Sequence, residues 1–144
     1  MTDAVVLATQ GPIDLRDLQR HAWQNAEDAG FHEEGDNLRF LAQAGRPFAE
    51  SNLRNYYANR LMLIAGEVVE AHEELRQGYA MDWEYFNTDP GREGKPEGVP
   101  AELADVLVRL LDLAEEVGID LADVAIRKMD FNATRGRMHG GKKF

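Results

Sequence analysis

The chain has 144 residues, 26 acidic against 16 basic, and a net charge of −10. That charge excludes the broad basic face by which a protein grips polymeric nucleic acid, and the absence of cysteine excludes a disulfide framework or a thiolate metal site. With 44% hydrophobic residues, the length of one ordinary domain and no apolar run of about 18 residues, the chain reads as a single domain, 1–144, with no membrane partner and a cytoplasmic location.

Residues 1–12, MTDAVVLATQGP, carry neither a basic leader nor a long apolar core, so they read as an N-terminal arm and not a secretion signal. Asp14 then predicts an N-cap for a helix through LRDLQRHAWQNAEDAG, with Leu15, Leu18, Ala22 and Ala26 on one face and Gly30 as its stop. Residues 31–50 are mixed, with a short helix near NLRFLAQA and a break at Gly45, Arg46 and Pro47. A long helix follows from about Ser51 to Arg76, because Leu61, Ile64, Val68, Ala71 and Leu75 recur at spacings of three and four. Residues 87–100 hold Pro90, Pro96 and Pro100 with Gly91, Gly94 and Gly98, which predicts a loop. A further helix starts after Pro100 and carries Leu103, Val106, Leu107, Leu110, Leu111 and Ala114 as far as Gly118. Asp120 caps the last helix, LADVAIRKMDFNATR, and a basic tail, 136–144, closes the chain. The fold class is all-α, about four main helices packed as a bundle.

Two pairs of acids stand out. Glu67 and Glu70 lie at i and i+3, on one face of the long helix, and Glu102 and Asp105 repeat the spacing on the next main helix. Such acids at helical spacing are most often a solvated face. Two pairs flanking one Gly/Pro loop can instead face each other, and four converging carboxylates repel unless cations lie between them. An all-oxygen ligand set suits Mg²⁺, with Mn²⁺ as a substitute. Glu73 and Glu74 read as surface, with Glu74 one turn beyond Glu70. Arg109, four residues after Asp105, reads as a helix salt bridge or as a group that orients a ligand.

The last helix offers cations to match. Lys128, Asn132 and Arg135 fall at i, i+4 and i+7 in KMDFNATR, one stripe with charge for phosphate and an amide for sugar or phosphate. The bland alternative is a polar surface near a helix C-terminus, where cations are favoured anyway. Six of the sixteen basic residues (Arg127, Lys128, Arg135, Arg137, Lys142 and Lys143) lie in the last eighteen positions.

Taken together, LMLIAGEVVEAHEEL, KPEGVPAELADVLVRLLDLAEEVGIDL, KMDFNATR and the closing HGGKKF resemble the MazG-like, all-α nucleoside triphosphate pyrophosphohydrolases over roughly residues 55–144. The resemblance implies hydrolysis of (d)NTPs to monophosphate and pyrophosphate with Mg²⁺. It implies Glu67, Glu70, Glu102 and Asp105 as metal ligands; for such a reaction, Glu70 or Glu67 is the expected general base. Lys128, Asn132 and Arg135 become contacts to phosphate or sugar, and Arg109 joins them as a substrate-binding candidate from its own place on the helix. It also implies a homodimer or homotetramer whose neighbouring helices complete the bundle. One departure stands in the motif: the first glutamate of the family's E-E pair is Gly66 here.

Base recognition is less legible. His21 and Phe31 are weak pocket candidates, Trp23 and Phe40 read as core, and Trp83, Tyr85 and Phe86 read as a lid or a subunit contact. GRMHGGKK fits the spacing of a P-loop, but Lys143 takes the Ser/Thr place and no helix follows, so that reading fails. A phosphoribosyl-ATP-type pyrophosphohydrolase and a non-catalytic helical interaction protein remain as alternatives. A ferritin-like di-iron bundle is set aside because no histidine follows a glutamate by three.

Overall fold

The computed structural model describes residues 12–135. The basic tail and all but the last residue of the N-terminal arm lie outside them, with His139, Lys142 and Lys143. Among the described residues are five helices, α1 (Leu15–Asp28), α2 (Glu33–Gln43), α3 (Ala49–Arg76), α4 (Val99–Glu116) and α5 (Leu121–Ala133), and two short strands, β1 (Tyr85–Phe86) and β2 (Pro96–Glu97). None of these helices is long and apolar enough to cross a membrane.

The helices begin where local chemistry permits. Asp14 caps α1 by accepting from the Arg16 N–H at 2.7 Å, and Asp120 caps α5 by accepting from the Asp123 N–H at 3.0 Å. The short helix expected near 37–44 starts earlier, at Glu33. Its N-cap is His32, which makes no side-chain cap bond, but Glu33, Glu34 and Asp36 place negative charge in its first turn. With it, the described residues hold the four main helices expected and this additional short one. α3 starts at Ala49, not Ser51, because Phe48 takes a left-handed conformation (φ 64°) after Pro47 and turns the chain. α4 starts at Val99 with Pro100 in its first turn, where a missing N–H costs nothing.

The stretch 87–100, expected as one loop, contains β2 and the first two residues of α4, and β1 immediately precedes it. β1 and β2 pair antiparallel, Tyr85 opposite Glu97 and Phe86 opposite Pro96. Gly98 (φ 100°) links β2 to α4, and a Cβ there would meet the Trp83 carbonyl oxygen at 2.3 Å.

α3 and α4 run antiparallel, since pairs at 67–109, 60–112 and 56–116 meet across them. α1 packs on α4, α2 packs on α3, and the main partner of α5 is α1. Gly35 lets α2 approach closely: a Cβ there would meet Glu116 Oε1 at 2.6 Å and the Tyr56 ring at 2.8 Å. The core is small. Leu111 and Val99 are its largest fully enclosed apolar side chains, with Leu113, Ala22, Ala71 and Ala114 around them. The expected apolar stripe of α4 divides. Leu111 and Ala114 are buried, but Leu103 and Leu107 are exposed, as are Leu61 and Val68 of α3. Phe40, expected in the core, is 67% exposed because α2 turns its Gly35 face to α3.

Candidate metal centre

Two sets of acids lie on the antiparallel pair α3 and α4, one toward each end. The first surrounds His32, whose side chain is 1% exposed. Its Nε2 lies 2.7 Å from Asp112 Oδ1 and its Nδ1 2.8 Å from Glu27 Oε2. Trp23 stacks on its ring at 5.4 Å between centroids, so Trp23 packs as expected. Arg60 pairs with the other Asp112 oxygen and stands 3.6 Å from Glu116 Oε2. Arg39 and the Tyr56 hydroxyl both donate to Glu116 Oε1, at 2.8 and 2.9 Å. Burial, then the Glu116 carboxylate, pushes the Tyr56 hydroxyl up to about 12. This network joins four helices and the α1–α2 turn, and within it the buried Glu116 Oε2 accepts no hydrogen bond, with Arg60 as its nearest cation.

The second set is different. Glu67, Glu70 and Glu102 each bring a carboxylate oxygen within 4.8 Å of the other two. Glu67 and Glu70 meet on one face of α3 through their i, i+3 spacing. Glu102 lies in the first turns of α4, where its N–H donates to the Gly98 carbonyl and the helix N-terminus favours a negative charge. Glu67 and Glu102 are buried, at 7% and 4% exposure, and Glu70 is exposed.

Glu102 has no hydrogen bond and no ion pair among the described residues; the residue is mostly buried, and its carboxylate oxygens keep some contact with solvent. Burial first, then Glu70, pushes its carboxyl up to about 7; Lys95 opposes them, and Asp105 and Glu67 each add less than Lys95 removes. A buried carboxylate aimed at two others, without a donor of its own, is costly unless a cation joins it. The donors are all carboxylate oxygens, and that chemistry fits Mg²⁺ or Mn²⁺.

Two cations border this set. Arg109 Nε stands 2.5 Å from Glu67 Oε1, so Arg109 reaches across to α3 instead of pairing with Asp105 on its own helix. Lys95, which the sequence did not single out, donates to Glu97 at 2.9 Å and lies close enough to feel Glu102 and Asp105. Its only sequence signal is its position in the loop before α4.

The remaining expected residues are placed as follows. Asp105 is exposed, one turn beyond Glu102, and is not one of the three converging acids. Lys128 is exposed and Asn132 half-buried on α5, and Arg135 is exposed just past its end; α5 packs mainly on α1, so this chain alone does not bring the stripe to the carboxylates. Lys128 instead stands 5.8 Å from the Phe131 ring centroid. Glu73 pairs with Arg76, and Glu74 accepts from the Tyr85 hydroxyl at 3.4 Å, which ties β1 to the end of α3. Trp83 and Phe86 are exposed, as is Phe31. A Cβ on Gly66 would meet nothing within 4 Å, so the departure from the E-E pair leaves open space beside Glu67. Sequence reasoning passed over Arg60, Glu116 and Tyr56, because their pairing is visible only once α3 and α4 are in register. No protein-family model, curated protein or solved structure matches the chain.

Proposed function

We propose that this chain is a Mg²⁺-dependent nucleoside triphosphate pyrophosphohydrolase of the MazG-like kind, acting on the cytoplasmic nucleotide pool. The observation that carries the reading is Glu102, a buried carboxylate without a partner, converging with Glu67 and Glu70 across two antiparallel helices. A bound Mg²⁺ would supply charge neutralisation of the phosphates and an acidified water. Glu67, Glu70 and Glu102 would hold it, with Asp105 as an outer carboxylate. Glu70, the most exposed of the three, is the best placed to accept a proton from the attacking water. Arg109 would meet the phosphates, and so would Lys128, Asn132 and Arg135.

The stripe on α5 would approach the carboxylates from a neighbouring copy. The exposed Leu103, Leu107, Leu61 and Val68 support that assembly, since a chain with so small a core leaves apolar helix faces for a second copy to cover. A sedimentation mass above the 16.2 kDa of one chain tests it; a monomer at all concentrations would refute it.

The activity is tested by incubating the protein with a panel of NTPs and dNTPs, with and without Mg²⁺, and resolving the products. Monophosphate plus pyrophosphate is expected, abolished by EDTA and by Glu70→Gln. Diphosphate plus phosphate would place the cleavage at the wrong bond, and no turnover of any nucleotide would remove the reading.

A further inference from the structure

Arg109 is the one cation paired with a member of the three-carboxylate cluster among the described residues. Its Nε stands nearest the Glu67 carboxylate, and its guanidinium makes no side-chain hydrogen bond among the described residues. Its side chain is 47% exposed, whereas that of Glu67 is 9% exposed. Arg109 follows Glu102 by seven residues, two helical turns, so both project from the same face of α4 about 10 Å apart along the axis. The neighbouring cation, Lys95, is engaged by Glu97 and does not pair with Glu67. The guanidinium therefore pairs with a buried carboxylate from its solvent side, and that carboxylate is one of the three that converge.

That arrangement is one of competition. A divalent cation among Glu67, Glu70 and Glu102 needs a Glu67 oxygen, and a carboxylate oxygen shared with a guanidinium at 2.5 Å is a poorer ligand. A divalent ion would be the stronger, doubly charged partner for that carboxylate, and the half-exposed arginine has solvent to move into. We propose that Arg109 is the cluster's resident counter-cation: it neutralises Glu67 while no divalent ion is bound, and it yields Glu67 when one arrives, which turns its guanidinium toward the phosphates of the incoming substrate. The metal site and the phosphate site are thereby assembled in order, metal first. This rests on the metal-binding reading above.

The test uses Mn²⁺ as the probe, its binding read by the loss of the free-ion EPR signal in the whole chain, for wild type, Arg109→Gln, Arg109→Lys and Lys95→Gln. Removing a competitor from Glu67 is expected to tighten Mn²⁺ binding by at least about threefold in Arg109→Gln, the size of a partly exposed ion pair. Lys95→Gln removes the same unit of charge nearby without freeing Glu67, so a smaller change is expected there, and Arg109→Lys should fall between wild type and Arg109→Gln. In parallel, titrating ¹⁵N-labelled protein with Mg²⁺ should move the Arg109 Nε–H resonance, assigned by its absence from Arg109→Lys. Mn²⁺ binding that is equal or weaker in Arg109→Gln, with wild type binding normally, overturns the inference and leaves the metal site standing. An unmoved Nε–H signal on saturation with Mg²⁺ does the same. Failure of wild type and every variant to bind Mn²⁺ at millimolar concentration would instead remove the metal reading, and this inference with it.

Discussion

The two ends of the α3–α4 pair hold similar acids in opposite circumstances. At one end Asp112 is held by His32 and Arg60, and Glu116 by Arg39, Tyr56 and Arg60. At the other, Arg109 pairs with Glu67 alone, and neither Glu70 nor Glu102 has an ion pair among the described residues. Burial costs a carboxylate heavily in either place. Where donors surround it, removing the carboxylate leaves them stranded; where they do not, removing it relieves the fold. The difference separates acids that hold the helices together from acids kept at the expense of stability.

The largest expected effect breaks the partnered end. Asp112→Ala leaves His32 and Arg60 buried without their shared anion, and should cost about 3–5 kcal/mol in urea denaturation. A loss below about 1 kcal/mol would mean that the network is no more than surface pairing.

The unpartnered end should respond with the opposite sign. The Glu102 carboxyl is raised from 4.5 to about 7 in the folded chain, so the folded state holds that proton more tightly than the unfolded one. In metal-free protein its contribution is fully present below pH 4.5, is lost as pH rises toward 7, and is flat above. Glu102→Gln should therefore be more stable than wild type at pH 8 and should lack this slope. It should also lack the rise in Tm that Mg²⁺ gives wild type. A variant less stable than wild type at pH 8 would show that Glu102 has a partner after all.

Position 66 sharpens the contrast by adding charge. Because its Cβ would meet open space, Gly66→Ala should stabilise α3 by about 0.5–1 kcal/mol, the helix cost of glycine. Gly66→Glu should forfeit that gain in metal-free protein and recover it with Mg²⁺. Equal Tm responses of the two variants to Mg²⁺ would place residue 66 away from the metal.

Much of the scaffold was legible. Asp14 and Asp120 announced their helices, and the three-four spacing along 61–75 announced α3. The convergence of Glu67, Glu70 and Glu102 followed from two local spacings and one loop. What was not legible depended on register between elements. Arg60 and Asp112 are 52 positions apart, His32 and Asp112 80, and no local pattern connects them. The apolar stripe of α4 announced one face, but a stripe does not say what covers it, so Leu103 and Leu107 were expected inside and stand exposed. Phe40 failed for the same reason.

The close seating of α2 at Gly35 has a consequence for how the chain can diverge. A methyl group there would strike both Glu116 and Tyr56, so positions 35, 56 and 116 cannot drift separately. In related chains a side chain at 35 should appear only together with a shorter residue at 116 or a smaller ring at 56. These three positions, distant along the chain, should change as a set.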